Sequence, residues 1–187
     1  MRTFDYGGGI SSTRGDALNY SVGGGEATPF DERTLRISAT PYGRIAGVLA
    51  LGEGAFLTNA ASTPCAVEAT LSGTGTLDGQ FVLRGATWEL EGVARASDLK
   101  GVTFSNSPAN ALAGLGKVKV AFDAKPTRSR YMVGPALGLT GAEEIGVEAT
   151  YIDAGVVKPY PDVKLRVENG VLYLANTKPA GLTLFMR

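Results

Sequence analysis

The chain has 187 residues, with 18 Lys and Arg against 18 Asp and Glu, so its formal net charge is zero. That balance argues against a dominant nucleic-acid binder, which carries a basic excess, and against a helix lying on anionic lipid through a basic face. There is no histidine and one cysteine, Cys65, which excludes Ser-His-Asp and Cys-His catalysis, an intrachain disulfide and the usual zinc, haem and iron–sulfur sites.

The length suits one domain with a real core. Glycine is abundant at 26 residues, and charged residues make up 19%, below the usual ~25%. This is the composition of many short strands joined by tight turns. Arg2, Asp5, Arg14 and Asp16 interrupt the first twenty residues, so no apolar signal segment is expected there. The longest apolar stretch, 45–51, is broken by Gly47 and is too short to span a bilayer.

Residues 1–32 read as an extended arm. They carry triple glycines at 7–9 and 23–25, lack apolar periodicity, and end at Thr28-Pro29, where proline imposes extended or turn geometry. Phe4, Tyr6, Ile10, Leu18, Tyr20, Val22 and Phe30 supply spaced apolar anchors, the candidate partner-binding residues. Arg14-Gly15-Asp16 has the form of an integrin ligand, but such a tripeptide arises easily by chance in a Gly-rich chain. Asn19-Tyr20-Ser21 is a glycosylation sequon, idle without a secretory route.

From residue 33 the pattern changes to period two, defining a domain over 33–187. "RTLRISA" places Leu35, Ile37 and Ala39 on one face, and "AVEATLS" does the same for Val67, Ala69 and Leu71. Asp78-Gly79 marks a candidate tight turn. "ATWELEGVA" sets Trp88 and Leu90 opposite Glu89 and Glu91. Trp88 reads as core; the glutamates read as a solvent face, although two carboxylates so spaced could serve a glycosidase. "SPANALAGLG" offers a turn or two of helix before Gly114 and Gly116. "GLGK" at 114–117 lacks the rest of a phosphate loop, since Ala111 and Val118 replace the required Gly and Ser or Thr. The lysine instead opens "KVKVAFD", with Val118, Val120 and Phe122 inward.

"KPTRSRY" clusters Lys125, Arg128 and Arg130 in a loop, and Thr140 stands at capping-box spacing from Glu143. "IGVEATYI" aligns Ile145, Val147, Ala149 and Tyr151. In "VKLRVENGVLYLA", Asn169-Gly170 predicts a two-residue type I′ hairpin. That turn pairs Val167 with Leu172 and Leu165 with Leu174 inside, and Arg166 with Tyr173 and Glu168 with Val171 outside. "LTLFM" aligns Leu182, Leu184 and Met186. Tyr6, Tyr20, Tyr42 and Tyr160 fall in arm or loops, where tyrosine suits an interface.

One wet and one apolar face per strand predicts an all-β fold of antiparallel sheets, a jelly-roll-like β-sandwich, with a β-barrel as alternative. An arm on such a domain, without catalytic residues or cofactor, predicts a non-enzymatic structural protein. Its most specific form is a bacteriophage capsid decoration or cement protein, assembled in the host cytoplasm into the virion. The expected partners are subunits of the same assembly, such as a major capsid protein, and further copies in a homo-oligomer; nucleic acid and membrane are not expected. The alternatives are a carbohydrate-binding or adhesive β-sandwich module and a glycan-active enzyme using Glu89 and Glu91. An outward Trp88 would favour sugar binding; an inward Trp88 with solvent-exposed glutamates counts against both.

Overall fold

The computed structural model describes residues 5–6, 34–37, 44–59, 62 and 64–177. Their strands run in chain order as β1 (Asp5–Tyr6), β2 (Thr34–Ile37), β3 (Arg44–Leu51), β4 (Phe56–Asn59) and β5 (Cys65–Gly73). Then come β6 (Thr76–Gly79), β7 (Phe81–Gly92), β8 (Leu99–Lys100), β9 (Thr103–Ser105) and β10 (Gly114–Phe122). The last are β11 (Arg130–Pro135), β12 (Gly146–Asp153), β13 (Val156–Pro159), β14 (Val163–Glu168) and β15 (Val171–Asn176).

From β3 to β10 the chain shuttles between two sheets. Each return places a strand parallel to its predecessor in the same sheet. The first sheet orders as β13-β12-β10-β7-β5-β3 with β8 beside β7, and the second as β1-β2-β4-β6-β9. The result is a coil of stacked turns. The third sheet, β11-β15-β14, is antiparallel.

Register stacks like on like. Leu49, Leu71, Trp88, Val118 and Val147 form one inward row across the first sheet. Leu57, Leu77 and Phe104 form the matching row in the second. These rows and Leu165, Leu172 and Leu174 of the third sheet belong to one apolar core.

The all-β class holds, and the direction of pairing does not. Antiparallel pairs occur only at β7/β8, β12/β13 and within the third sheet among the described residues. Where the sequence predicts antiparallel sheets, the two larger sheets are built mainly of parallel pairs. Alternation reports one-sided burial, not direction. Parallel sheets usually read as continuous apolar runs because helices cover both faces. Here the strands cross over through a facing sheet, so each keeps a wet outer face.

Asp78-Gly79 makes a corner between sheets, not a hairpin: β6 ends there and β7 starts in the first sheet. The corner is fastened by Asn59, the buried polar residue of the core. Its Nδ2 donates to Gln80 O at 2.6 Å, and Gln80 N donates back to Asn59 O at 3.1 Å. "SPANALAG" gives successive turns (Ala111 N to Pro108 O, Ala113 N to Asn110 O) instead of a helix. Ala142–Glu144 is a single 3₁₀ turn without a side-chain cap, so Thr140 does not serve as one. "GLGK" already lies in β10, where a Cβ on Gly114 would sit 2.2 Å from Leu83 O.

The Asn169-Gly170 hairpin forms in the expected register, Leu165 with Leu174 and Val167 with Leu172. Asn169 and Gly170 have φ of 51° and 76°, the positive values that a type I′ turn needs. Val167 keeps the expected inner face, opposite buried Leu172, but is 40% exposed near the hairpin tip. "LTLFM" and the 1–32/33–187 division lie outside the described residues, except that Asp5–Tyr6 pairs parallel with Arg36 and Ile37.

Cys65 is buried, and loss of solvation pushes its thiol up to about 11. A raised pKa keeps the reactive thiolate scarce at mildly alkaline pH. Native protein is therefore expected to resist Ellman's reagent there, and guanidinium-unfolded protein to react at once. Equal rates in both states would contradict this burial.

Candidate functional site

Among the described residues the second and third sheets share no strand pairing. Between β9, the last strand of one, and β11, the first of the other, opens a cleft of about 540 Å³. Trp88 of β7 forms part of its floor with Val102 and Leu99, while Phe104 and Val133 line its sides. Polar groups stand around them: Glu53, Thr74, Glu91 and Lys100.

Trp88 is 4% exposed, and its indole stands edge-on to Phe104 at 5.5 Å and 88°. Its Nε1–H has no hydrogen-bond partner among the described residues. Gly101 covers this edge of the ring: a Cβ there would lie 3.1 Å from Nε1 and 2.3 Å from Leu90 Cδ2. The indole nitrogen is itself shut off from solvent.

A second, shallower groove of about 350 Å³ crosses the outer face of the first sheet. Register brings Glu89, Lys119 and Glu148 side by side on β7, β10 and β12. Lys119 reaches Glu89 at 3.3 Å and Lys117 reaches Glu148 at 2.5 Å. The Lys117 hydrogen bond holds the Glu148 carboxyl below its ordinary range. All four side chains are solvent-exposed, so these pairs add little stability.

The third surface is the ribbon β12–β13 at the edge of the first sheet. All four residues of β13 are exposed, with Val156 at 58% and Val157 at 66%. Neighbouring strand residues point to opposite faces, so β13 is uncovered on both. Tyr160 N donates to Ala149 O. The alternation of antiparallel bonding then turns the N–H and C=O of Val157 outward, away from β12.

Trp88 is inward and Glu89 and Glu91 sit on the wet face, the arrangement that counts against an exposed sugar platform and a paired-carboxylate enzyme. The loop cations do not converge: Arg128 Nε donates to Arg95 O at 3.0 Å, and Arg130 pairs with Glu168 at 2.8 Å beside the Tyr173 ring. Tyr160 is half-buried against Phe122 and Tyr151 and accepts from Asn176 Nδ2, so it is internal packing and not a loop anchor. Phe4, Ile10, Leu18, Tyr20, Val22 and Phe30, the Arg14-Gly15-Asp16 string and Tyr42 lie outside the described residues; of Tyr6 only the strand pairing is described. Sequence reasoning placed Trp88 in the core and missed the cleft it lines, which brings together residues of β7, β8, β9 and β11.

Comparison with family models, with curated proteins and with solved structures gives no match for this chain.

Proposed function

We propose that this chain is a non-enzymatic structural component of a larger assembly. Its most specific form is a virion component, such as a bacteriophage capsid decoration or cement protein, whose arm over residues 1–32 docks on neighbouring subunits. The observation that carries the reading is β13. It is an edge strand with apolar side chains on both faces and an outward backbone pair at Val157. Soluble proteins blunt such edges with lysine, proline or cover. Lys158 and Pro159 blunt one half of this strand, and Val156 and Val157 leave the other open to a partner strand. Zero net charge does nothing to keep copies apart.

Light-scattering mass of the full chain tests this. The wild type is expected as an oligomer, and Val157→Lys and deletion of residues 1–32 are each expected to lower the mass while strand content by circular dichroism stays unchanged. A monomeric wild type, or variants that assemble unchanged, would count against the reading.

A further inference from the structure

We propose that β13 is completed by a strand from residues 182–186 of this sequence, added antiparallel along its open edge. This names the strand that the assembly reading calls for. The pairing itself does not rest on that reading, which adds only that the segment comes from a neighbouring copy.

The last described residue points to this edge. Thr177 is held on Asp162, whose carbonyl accepts from Thr177 N at 2.6 Å and from Thr177 Oγ1 at 2.8 Å. Val157 lies five positions before Asp162, and Leu182 lies five positions after Thr177. Each such span is at most ~17 Å, so residues 178–181 suffice to carry the segment from Asp162 back to Val157. The direction follows from β15, which runs antiparallel to β14 as far as Asn176 opposite Val163. A chain that keeps this heading past Thr177 passes residues 162 to 156 in reverse.

The pattern of the segment fits the edge. Val157 lies opposite Ile152, which is 47% exposed, and Val156 stands on the other face, the side of Tyr151. Leu182, Leu184 and Met186 alternate with Thr183 and Phe185. Set beside β13, the first row extends the Tyr151 side, and Phe185 covers the side of Ile152 and Val157. The backbone gains partners too, because Val157 turns its N–H and C=O away from β12 and Pro159 adds a carbonyl.

Other edges suit the segment less. β14 carries Lys164, Arg166 and Glu168, charges that blunt an edge, and β9 has 3 residues. The arm meets the fold through β1 beside β2, at the opposite end of the coil from β13.

Amide exchange of the full-length chain, followed by NMR, tests the pairing at Val157. Its exchange is expected to be slowed about a hundredfold in the wild type. Deleting residues 178–187 is expected to restore the rate of an open amide, while Val156 and Lys158, which bond to β12, stay protected. A Val157 amide that exchanges at the open rate in the wild type, or stays protected after the deletion, overturns the proposal. Val157→Cys/Thr183→Cys gives a second measurement. Cys65 is buried, and the new pair is expected to close a disulfide about tenfold faster than Val157→Cys/Leu184→Cys, whose second residue faces the other side. Equal rates overturn the proposal, and leave the assembly reading standing if the protein is still an oligomer. On a non-reducing gel a covalent dimer supports both readings. A cross-linked monomer supports the pairing and removes the open edge on which the assembly reading stands.

Discussion

Gly79→Ala is expected to destabilise the protein by about 4 kcal/mol, a large share of the ~5–15 kcal/mol that holds a domain folded. Two independent effects add. Gly79 has φ of 99°, outside the regions open to an L side chain, and such strain costs about 1–3 kcal/mol. A Cβ would also lie 2.1 Å from Asn59 O and 3.0 Å from Asn59 C, backbone atoms that cannot turn aside. Asn59 O accepts from Gln80 N, while Gln80 O accepts from Asn59 Nδ2 and from Cys65 N at 2.8 Å. Moving Asn59 therefore loosens the two bonds it makes with Gln80 at a buried corner, each worth about 1 kcal/mol net. Gly85 separates the effects, since it too has positive φ (63°) but nothing within 4 Å of its Cβ position. Gly85→Ala should cost only the left-handed strain, about 1–2 kcal/mol. Urea unfolding of both variants decides the matter. If Gly79→Ala is no worse than Gly85→Ala, the corner does not bind Asn59 in the way described.

The Asn169-Gly170 hairpin and the Asp78-Gly79 corner show why the fold is only partly legible in the sequence. The Asn169-Gly170 hairpin was readable to the residue because its cause is local: two neighbouring residues with positive φ fix the register of everything beside them. The coil has no such local cause. Leu71 lies closer in sequence to its stacking partner Trp88 than Trp88 lies to Val118, so the turns differ in length and no repeat marks them. Asp78-Gly79 looks like a hairpin turn because a hairpin and an inter-sheet corner both need glycine at positive φ. What separates them is the docking of Gln80 on Asn59, a contact between residues far apart in sequence. Trp88 was legible as core from its alternation with Glu89. The unpartnered Nε1 was not, because it depends on how Gly101 and Phe104 pack around the ring.

Leu71→Ala tests the stacking itself, with an expected loss of about 3 kcal/mol. Leu71 is fully buried in the middle of the inward row, with Leu49 on one side and Trp88 on the other. Truncation removes apolar area and leaves a cavity. The row cannot collapse into it, because backbone hydrogen bonds hold neighbouring strands about 4.8 Å apart. Val147 ends the same row, is only half-buried and belongs to β12. Val147→Ala should cost about 1 kcal/mol, because less area is lost and solvent can fill the space. The position of the loss also matters. In a coil, each turn is stabilised mainly by the turns on either side. A cavity at Leu71 should therefore loosen Trp88 and shift its fluorescence to the red, whereas Val147→Ala, two strands away, should leave the emission unchanged. Equal losses at both positions, or a red shift from Val147→Ala alone, would mean that the row does not act as a stack of neighbours.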